Sequence, residues 1–488
     1  MNEREIRILT KRLLPLPISI RFSDGEAFRL DDRCRVVLRG GADPERIAAR
    51  FRSFWGITPN IAFDTSAGKL PDGEAYRVRI AANGIFIDSG TQVGAENALK
   101  TLRQLAEARP GVEKLAGYIL EPCEIDDAPA LSFRGVHLCI FPETPLWDIE
   151  KKLRLAARFK FNYAVVEFWG TFPFTSHPDF GWSEHRLDRA ELKRLLKVAA
   201  DEGITLIPQC NVLGHASGCR IISGKHCVLD HHPEYEPLFE PDGWCWCLTN
   251  PATRRILADM VTELHDFFGA PPFFHLGFDE ADGIASCREC RKHPVRELVI
   301  DHLRFFRELL ASRHARPIIW HDMLVDKGDA RWRGYTAHSL PENGLSELYR
   351  ELPRDVIIAD WQYGFPCGEG ETEPSWPTVR FFAEEKFDVL VSPWLNVPGT
   401  KSLGKLAAQE KLFGMLATTW HISHHRNLLA TIAATAVAAW NPEASANGSA
   451  MLARQIRGVC RDMGIAEYEQ YGFCSQQVDP GSHPHELK

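Results

Sequence analysis

From residue 133 onward, short and almost wholly apolar runs alternate with stretches of helical periodicity. The runs 133–140, 162–168, 204–209, 273–277, 317–320, 355–360, 387–392 and 414–419 read as strands. Between and after them, amphipathic patterns near 148–160, 188–202, 253–268, 295–313, 343–352, 376–386, 402–412 and 426–440 read as helices. Strands that are apolar on both faces imply a parallel sheet covered on both sides. Eight strand–helix repeats over roughly 300 residues are the size of a (β/α)8 barrel. An open doubly wound sheet is the rival, but no glycine-rich phosphate loop follows the first run.

The pattern before residue 129 is different. Residues 76–80 and 84–88 alternate in polarity around Ala82-Asn83-Gly84, as the strands of a hairpin do. A single amphipathic helix is expected over 95–108. The turn-rich connection from Glu121-Pro122 to Ala128-Pro129 then leads into the barrel. The expected organisation is an α/β chain with a small α+β domain at 1–128 and a (β/α)8 TIM barrel at 129–445. A helix and polar tail at 446–488 would complete it.

Composition narrows the function classes. The formal net charge of -8 over 488 residues provides no basic surface for nucleic acid or anionic membrane. No apolar run is long enough to span a bilayer, and the N-terminus lacks the apolar core of a secretory signal. The 13 cysteines form an odd set, which favours reduced thiols and a cytoplasmic location over a disulfide framework. Cys287-x-x-Cys290, with His293 behind it, is half of a zinc site. Its partners could come from Cys219, His226 and Cys227 or from Cys245 and Cys247. Packed reduced thiols are the competing reading, and a zinc-dependent barrel hydrolase is the corresponding functional one.

Barrel chemistry gathers where the strands end. Those ends carry Gln209, Asn211 and His215, then His275, Asp279 and Glu280, then Trp320, His321 and Asp322, then Asp360 and Trp361, Trp394, and Trp420. Tryptophans around one barrel mouth suit the apolar face of a sugar ring, with carboxylates and amides taking its hydroxyls. Two adjacent carboxylates repel each other, so one of Asp279 and Glu280 is expected to hold its proton more tightly and act as an acid.

His275-Leu-Gly-Phe-Asp-Glu280 resembles the His-x-Gly-Gly-Asp-Glu signature of family 20 glycoside hydrolases, the β-N-acetylhexosaminidases. Arg134-Gly135 resembles the family's Arg-Gly, and the segment from Pro208 to Leu213-Gly214-His215 its Pro-Glu-x-x-x-Pro-Gly-His. The region from Leu14-Pro15 to Leu105 resembles the family's preceding α+β domain.

The resemblance implies exo-acting removal of N-acetylhexosamine from an oligosaccharide or glycoconjugate, with no cofactor. The substrate's own acetamido oxygen would be the nucleophile. Glu280 would be the acid and base and Asp279 the residue orienting the acetamido group. Arg134 would hold sugar hydroxyls, and His215 and His275 would buttress the carboxylates. Trp320, Trp361, Trp394 and Trp420 would wall the pocket, with Asp322 among the binding residues.

Three positions depart from the family pattern. Phe278 replaces a glycine, Trp420-His421-Ile422 lacks the glutamate of Trp-x-Glu, and no tyrosine lies near Trp394-Leu395-Asn396. The last two departures motivate an alternative, an altered barrel that binds sugar or cleaves a differently substituted hexosaminide.

Overall fold

The computed structural model describes residues 8–9, 12–66, 68–108, 117–217, 228–367, 371–420, 428–446 and 449–465. The chain divides into two compact units. The first is built from Met1–Ser132, Arg158–Lys160 and the segment beginning at Ala436, and the second chiefly from Phe133–Ala157 and Phe161–Thr435.

The first unit is α+β. Its strands are β1 (Ser19–Phe22), β2 (Phe28–Leu30), β3 (Arg35–Gly40), β4 (Asn60–Phe63), β5 (Tyr76–Ala81), β6 (Gly84–Ser89), β7 (Glu107–Ala108), β8 (Tyr118–Leu120) and β9 (Cys123–Asp127). A six-stranded sheet runs β1-β9-β5-β6-β3-β4, and β2-β8-β7 form a second sheet. The expected hairpin is β5–β6, antiparallel with Ala81 facing Gly84.

Two helices stand where one was expected, α1 (Pro44–Trp55) and α2 (Gln92–Leu105). The signals for α1 are local. Asp43 caps it, Pro44 opens it, and Gly56 closes it in the left-handed region at φ 72°. The helix Ser449–Asp462 is no separate tail, because Gln455 Nε2 donates to the carbonyls of Leu9 and Leu13 within this unit. Lys160 and Asp127, both fully buried, pair at 2.9 Å. Trp440 Nε1 donates to the other Asp127 oxygen at 2.8 Å.

The second unit is a closed eight-stranded parallel barrel. Its strands are β10 (Phe133–Ile140), β11 (Tyr163–Phe168), β12 (Thr205–Gln209), β13 (Phe273–His275), β14 (Arg316–Trp320), β15 (Ile357–Trp361), β16 (Asp388–Ser392) and β17 (Gly414–Ala417). They match the eight apolar runs. β17 closes onto β10 with Phe133 opposite Gly414. A Cβ on Gly414 would lie 2.1 Å from the Phe133 carbonyl, so closure requires glycine there.

The helices α3 (Leu146–Arg158), α4 (Arg189–Asp201), α5 (Pro251–Phe267), α6 (Val295–Ser312), α7 (Pro377–Glu384), α8 (Val397–Gln409) and α9 (Leu428–Trp440) follow the predicted pattern. The helix expected over 343–352 is replaced by 3-10 turns, because Gly344 sits at φ 64° and breaks it. No helix among the described residues is long and apolar enough to cross a membrane.

Candidate active site

The site forms where β12 to β17 end. β13 stops at His275, two residues earlier than expected, because the backbone turns into the left-handed region at Gly277 (φ 69°), Phe278 (φ 90°) and Glu280 (φ 48°). Such φ values are costly for residues with a side chain and cluster at functional sites. Phe278 thus stands, fully buried, in a conformation that favours glycine. This turn aims the carboxylates of Asp279 and Glu280 at one imidazole. His215 Nε2 lies 3.2 Å from Asp279 Oδ2 and 3.4 Å from Glu280 Oε2. His215 itself has φ 52°. Next to it, Gly214 is needed for close approach, since a Cβ there would lie 2.4 Å from the Asp279 carbonyl.

The two carboxylates sit in different surroundings. Glu280 is 39% exposed and reachable, whereas the Asp279 side chain is 6% exposed. Asp279 Oδ1 is buried with no hydrogen-bond partner among the described residues. A buried carboxylate oxygen without a donor is unfavourable and fits an acceptor for a ligand N–H or O–H. Trp244, from the β12–α5 loop, donates its Nε1–H to the Glu280 carbonyl at 2.6 Å and packs its ring 4.3 Å from His215.

Asp322 does not line the site, because it is completely buried beneath it. One oxygen accepts from the Glu280 backbone N–H and the other from Trp361 Nε1–H, both at 2.9 Å. It is a positioning residue. Burial, and then the charge of Asp279, push its pKa up to about 6. His338 stands nearby. Burial works against its protonation, but Asp282, Asp322 and Glu280 outweigh that and raise its pKa.

The tryptophans from four strand ends form one connected cluster. Trp320 and Trp420 lie 5.3 Å apart, and Tyr363 bridges Trp361 at 4.9 Å and Trp394 at 5.0 Å. Trp420 Nε1 donates to the Tyr363 hydroxyl. Trp320, Trp361 and Trp394 are buried, so the rings pack on one another rather than lining an open wall.

Tyr363 is the residue that reading strand ends missed. It lies two positions beyond the end of β15, in Trp361-Gln362-Tyr363. Burial raises its pKa well above the usual phenol value. Ile422, where the family glutamate would stand, falls outside the described residues.

Arg134 lies deeper in the barrel. It is the second residue of β10, buried at the opposite end of the strand from Ile140. In the middle of β10, three residues after Arg134, His137 faces Glu167 of β11 at 3.3 Å. Asn211 Nδ2 donates to Glu167 at 2.9 Å. Beside them His275 accepts from Gly277 N–H on Nδ1, and burial followed by the charge of His137 holds its pKa well below the imidazole range. It sits 4.4 Å from the Trp320 ring. A cavity of about 80 Å³ lies on this side, with Glu167, Gln209, Asn211 and His215 on its polar wall and Phe172 and Trp246 on its apolar one.

Residues 178–428 match the model of the glycosyl hydrolase family 20 catalytic domain, and residues 10–128 match that of domain 2 of the same family. A beta-hexosaminidase of Porphyromonas gingivalis is 21% identical over 415 residues, 74% of this chain and 52% of that protein. The chain thus spans about half the length of that relative. A beta-hexosaminidase of Akkermansia muciniphila is 25% identical over 383 residues, 68% of this chain and 73% of its own.

Among solved structures, the Vibrio harveyi exo beta-N-acetylglucosaminidase in complex with N-acetylglucosamine superposes with a TM-score of 0.68 at 17% identity, over 93% of this chain and 77% of that one. Flavobacterium johnsoniae chitobiase gives 0.68 at 18% identity, over 95% and 73%. At these identities the likeness concerns the fold. The strands β10 and β11, with Arg134, His137, Cys139 and Glu167, precede the matched catalytic stretch.

Proposed function

Because the chain belongs to glycosyl hydrolase family 20, we propose that it removes terminal β-linked N-acetylhexosamine from oligosaccharides or glycoconjugates by substrate-assisted, retaining catalysis. The observation that carries this reading is the division of labour in the adjacent acid pair. Glu280 is reachable from solvent, while Asp279 presents a buried oxygen that lacks a donor among the described residues.

In the proposed reaction Glu280 protonates the glycosidic oxygen while the acetamido oxygen of the substrate attacks the anomeric carbon. Asp279 Oδ1 accepts the acetamido N–H, which aligns the nucleophile and stabilises the oxazolinium that forms. Glu280, now a carboxylate, takes a proton from the water that opens the ring. Neither carboxylate has to approach the opposite face of the sugar, so adjacency is no handicap. The scheme uses no cofactor.

Tyr363 takes the place of the acetamido-holding tyrosine, because its ring packs between Trp361 and Trp394 and its hydroxyl meets Trp420. Glu167 and Gln209, on the polar wall of the cavity, are assigned to the sugar's outer hydroxyls in place of the absent Trp-x-Glu glutamate. The cysteines seen among the described residues are free thiols, which supports a cytoplasmic setting.

The test is chromophore release from aryl β-N-acetylglucosaminide and β-N-acetylgalactosaminide by wild type and Glu280→Gln. Turnover that falls by orders of magnitude in the variant supports the assignment, and the ratio of the two rates identifies the preferred sugar. Tight sugar binding with no turnover by the wild type would instead support the altered, binding-only barrel.

A further inference from the structure

The proposed chemistry makes no use of a second cluster just beyond the acid pair. It arises where two long loops meet. The segment after β12 doubles back on itself, Glu240 N–H donating to the Cys245 carbonyl at 2.8 Å and Phe239 bridging Trp246. This turn presents Glu240 and Cys247. The segment after Glu280 presents Cys287 and Cys290 from a tight turn in which Arg291 N–H donates to the Cys287 carbonyl.

We propose that Glu240, Cys247, Cys287 and Cys290 form a structural zinc site that fastens these two loops together. Ligand atoms from these residues all lie within 4.8 Å of one another. Cys247 Sγ is 3.8 Å from Cys287 Sγ and 3.7 Å from Cys290 Sγ. A tetrahedral zinc with bonds of about 2.3 Å to sulfur places its thiolates roughly 3.8 Å apart. A disulfide would need about 2.05 Å.

The fourth ligand shows independent signs of an ion. Glu240 is 1% exposed, and its Oε1 is buried without a hydrogen-bond partner among the described residues. Its Oε2 accepts from Cys287 N–H at 2.5 Å and from Ser286 Oγ at 3.3 Å, which fixes the carboxylate against the thiols. A buried carboxylate beside three sulfurs calls for a cation.

The surrounding donors suit thiolates. Cys290 N–H points at Cys287 Sγ at 3.3 Å, and Thr249 Oγ1 lies 3.2 Å from Cys290 Sγ. Three thiolates with a carboxylate select a thiophilic tetrahedral ion over magnesium or calcium. Four protein ligands leave no open position, so the role is structural. Cys245, though adjacent, is not in the cluster, and His293 is exposed and outside it. Cys219, His226 and Cys227 fall outside the described residues.

The site would reach the chemistry through Trp244. That residue lies between Glu240 and Cys247, donates to the Glu280 carbonyl and packs on His215. Zinc would thus hold the loop that supports both carboxylates.

The test uses the full chain purified without chelator under reducing conditions. One zinc per chain is expected by elemental analysis. Exchange with cobalt should produce thiolate-to-metal charge-transfer bands and the strong visible bands of a tetrahedral ion. Cys287→Ser should lose the metal. Thr249→Val keeps all four ligands and should bind zinc about 10- to 100-fold more weakly in chelator competition, which serves if the cysteine variant does not fold. Less than a tenth of an equivalent of metal in the wild type, or a cobalt spectrum without thiolate bands, overturns the proposal. So does wild-type affinity in both variants.

Discussion

Asp322→Asn tests whether the acid is held from beneath. The carboxylate accepts two hydrogen bonds of 2.9 Å, one from the Glu280 backbone and one from the Trp361 indole. An amide keeps only one acceptor oxygen, so one of the two buried donors faces an NH2 group. Leaving a buried donor unpaired costs about 1–3 kcal/mol. The strained partner is Glu280, at φ 48°, and it is expected to shift. If that cost falls on the catalytic geometry, kcat drops roughly ten- to a hundredfold with little change in KM.

Stability should move differently. The folded pKa of Asp322, about 6, lies above its ordinary value of 3.8, so the native state binds this proton more tightly than the unfolded chain. Stability is then fully present below about pH 4 and declines as pH rises toward 6, by on the order of 3 kcal/mol. Asparagine removes that penalty, which offsets the lost hydrogen bond. Urea unfolding should therefore show near wild-type stability at pH 7 and a flatter profile between pH 4 and 6, alongside the slower turnover. A wild-type kcat in the stable variant would refute the positioning role. A rate loss that merely follows the folded fraction would refute it equally.

Other consequences are independent of Asp322. Tyr363→Phe removes the hydroxyl that Trp420 contacts, and should lower kcat/KM for aryl N-acetylglucosaminide by about ten- to a hundredfold, or 1–3 kcal/mol, with unchanged folding by circular dichroism. Fully buried His302 has its pKa lowered to about 4 while contacting the Val212 carbonyl through Nε2, so it contributes stability above pH 6.5 that is lost as pH falls toward 4. The loss is roughly 3 kcal/mol, and His302→Gln should diminish it in unfolding curves at pH 7.5 and 4.5. Lys160→Met leaves Asp127 buried without its cation and should destabilise the first unit by about 3–5 kcal/mol in thermal unfolding; an unchanged midpoint would contradict that.

The barrel was legible because its strands are apolar on both faces, and runs such as 133–140 and 414–419 have few other ways to be buried. The sequence reading passed over α1, although Asp43, Pro44 and Gly56 mark its ends. The acid pair could be located by its strand end. What sequence order hides is depth. Asp322 and Glu280 are both acidic residues after strands, yet one is sealed beneath the other. Tyr363 lay two residues past the point where β15 ends, and only the packing of Trp361, Trp394 and Trp420 reveals its place. Glu240 could not be joined to the cysteines by spacing, since its position depends on the fold of a loop.

The central claim is that the substrate's acetamido oxygen, oriented by Asp279, performs the attack. It is tested most directly by a series of aryl β-glucosaminides with one leaving group and an acetyl, fluoroacetyl, difluoroacetyl or trifluoroacetyl substituent on the 2-amino group. Each fluorine weakens that oxygen as a nucleophile without changing the carboxylates. A steep, progressive fall in kcat/KM across the series is the expected result. Rates that stay level from acetyl to trifluoroacetyl would contradict the account, because the attacking group would then belong to the protein or to water.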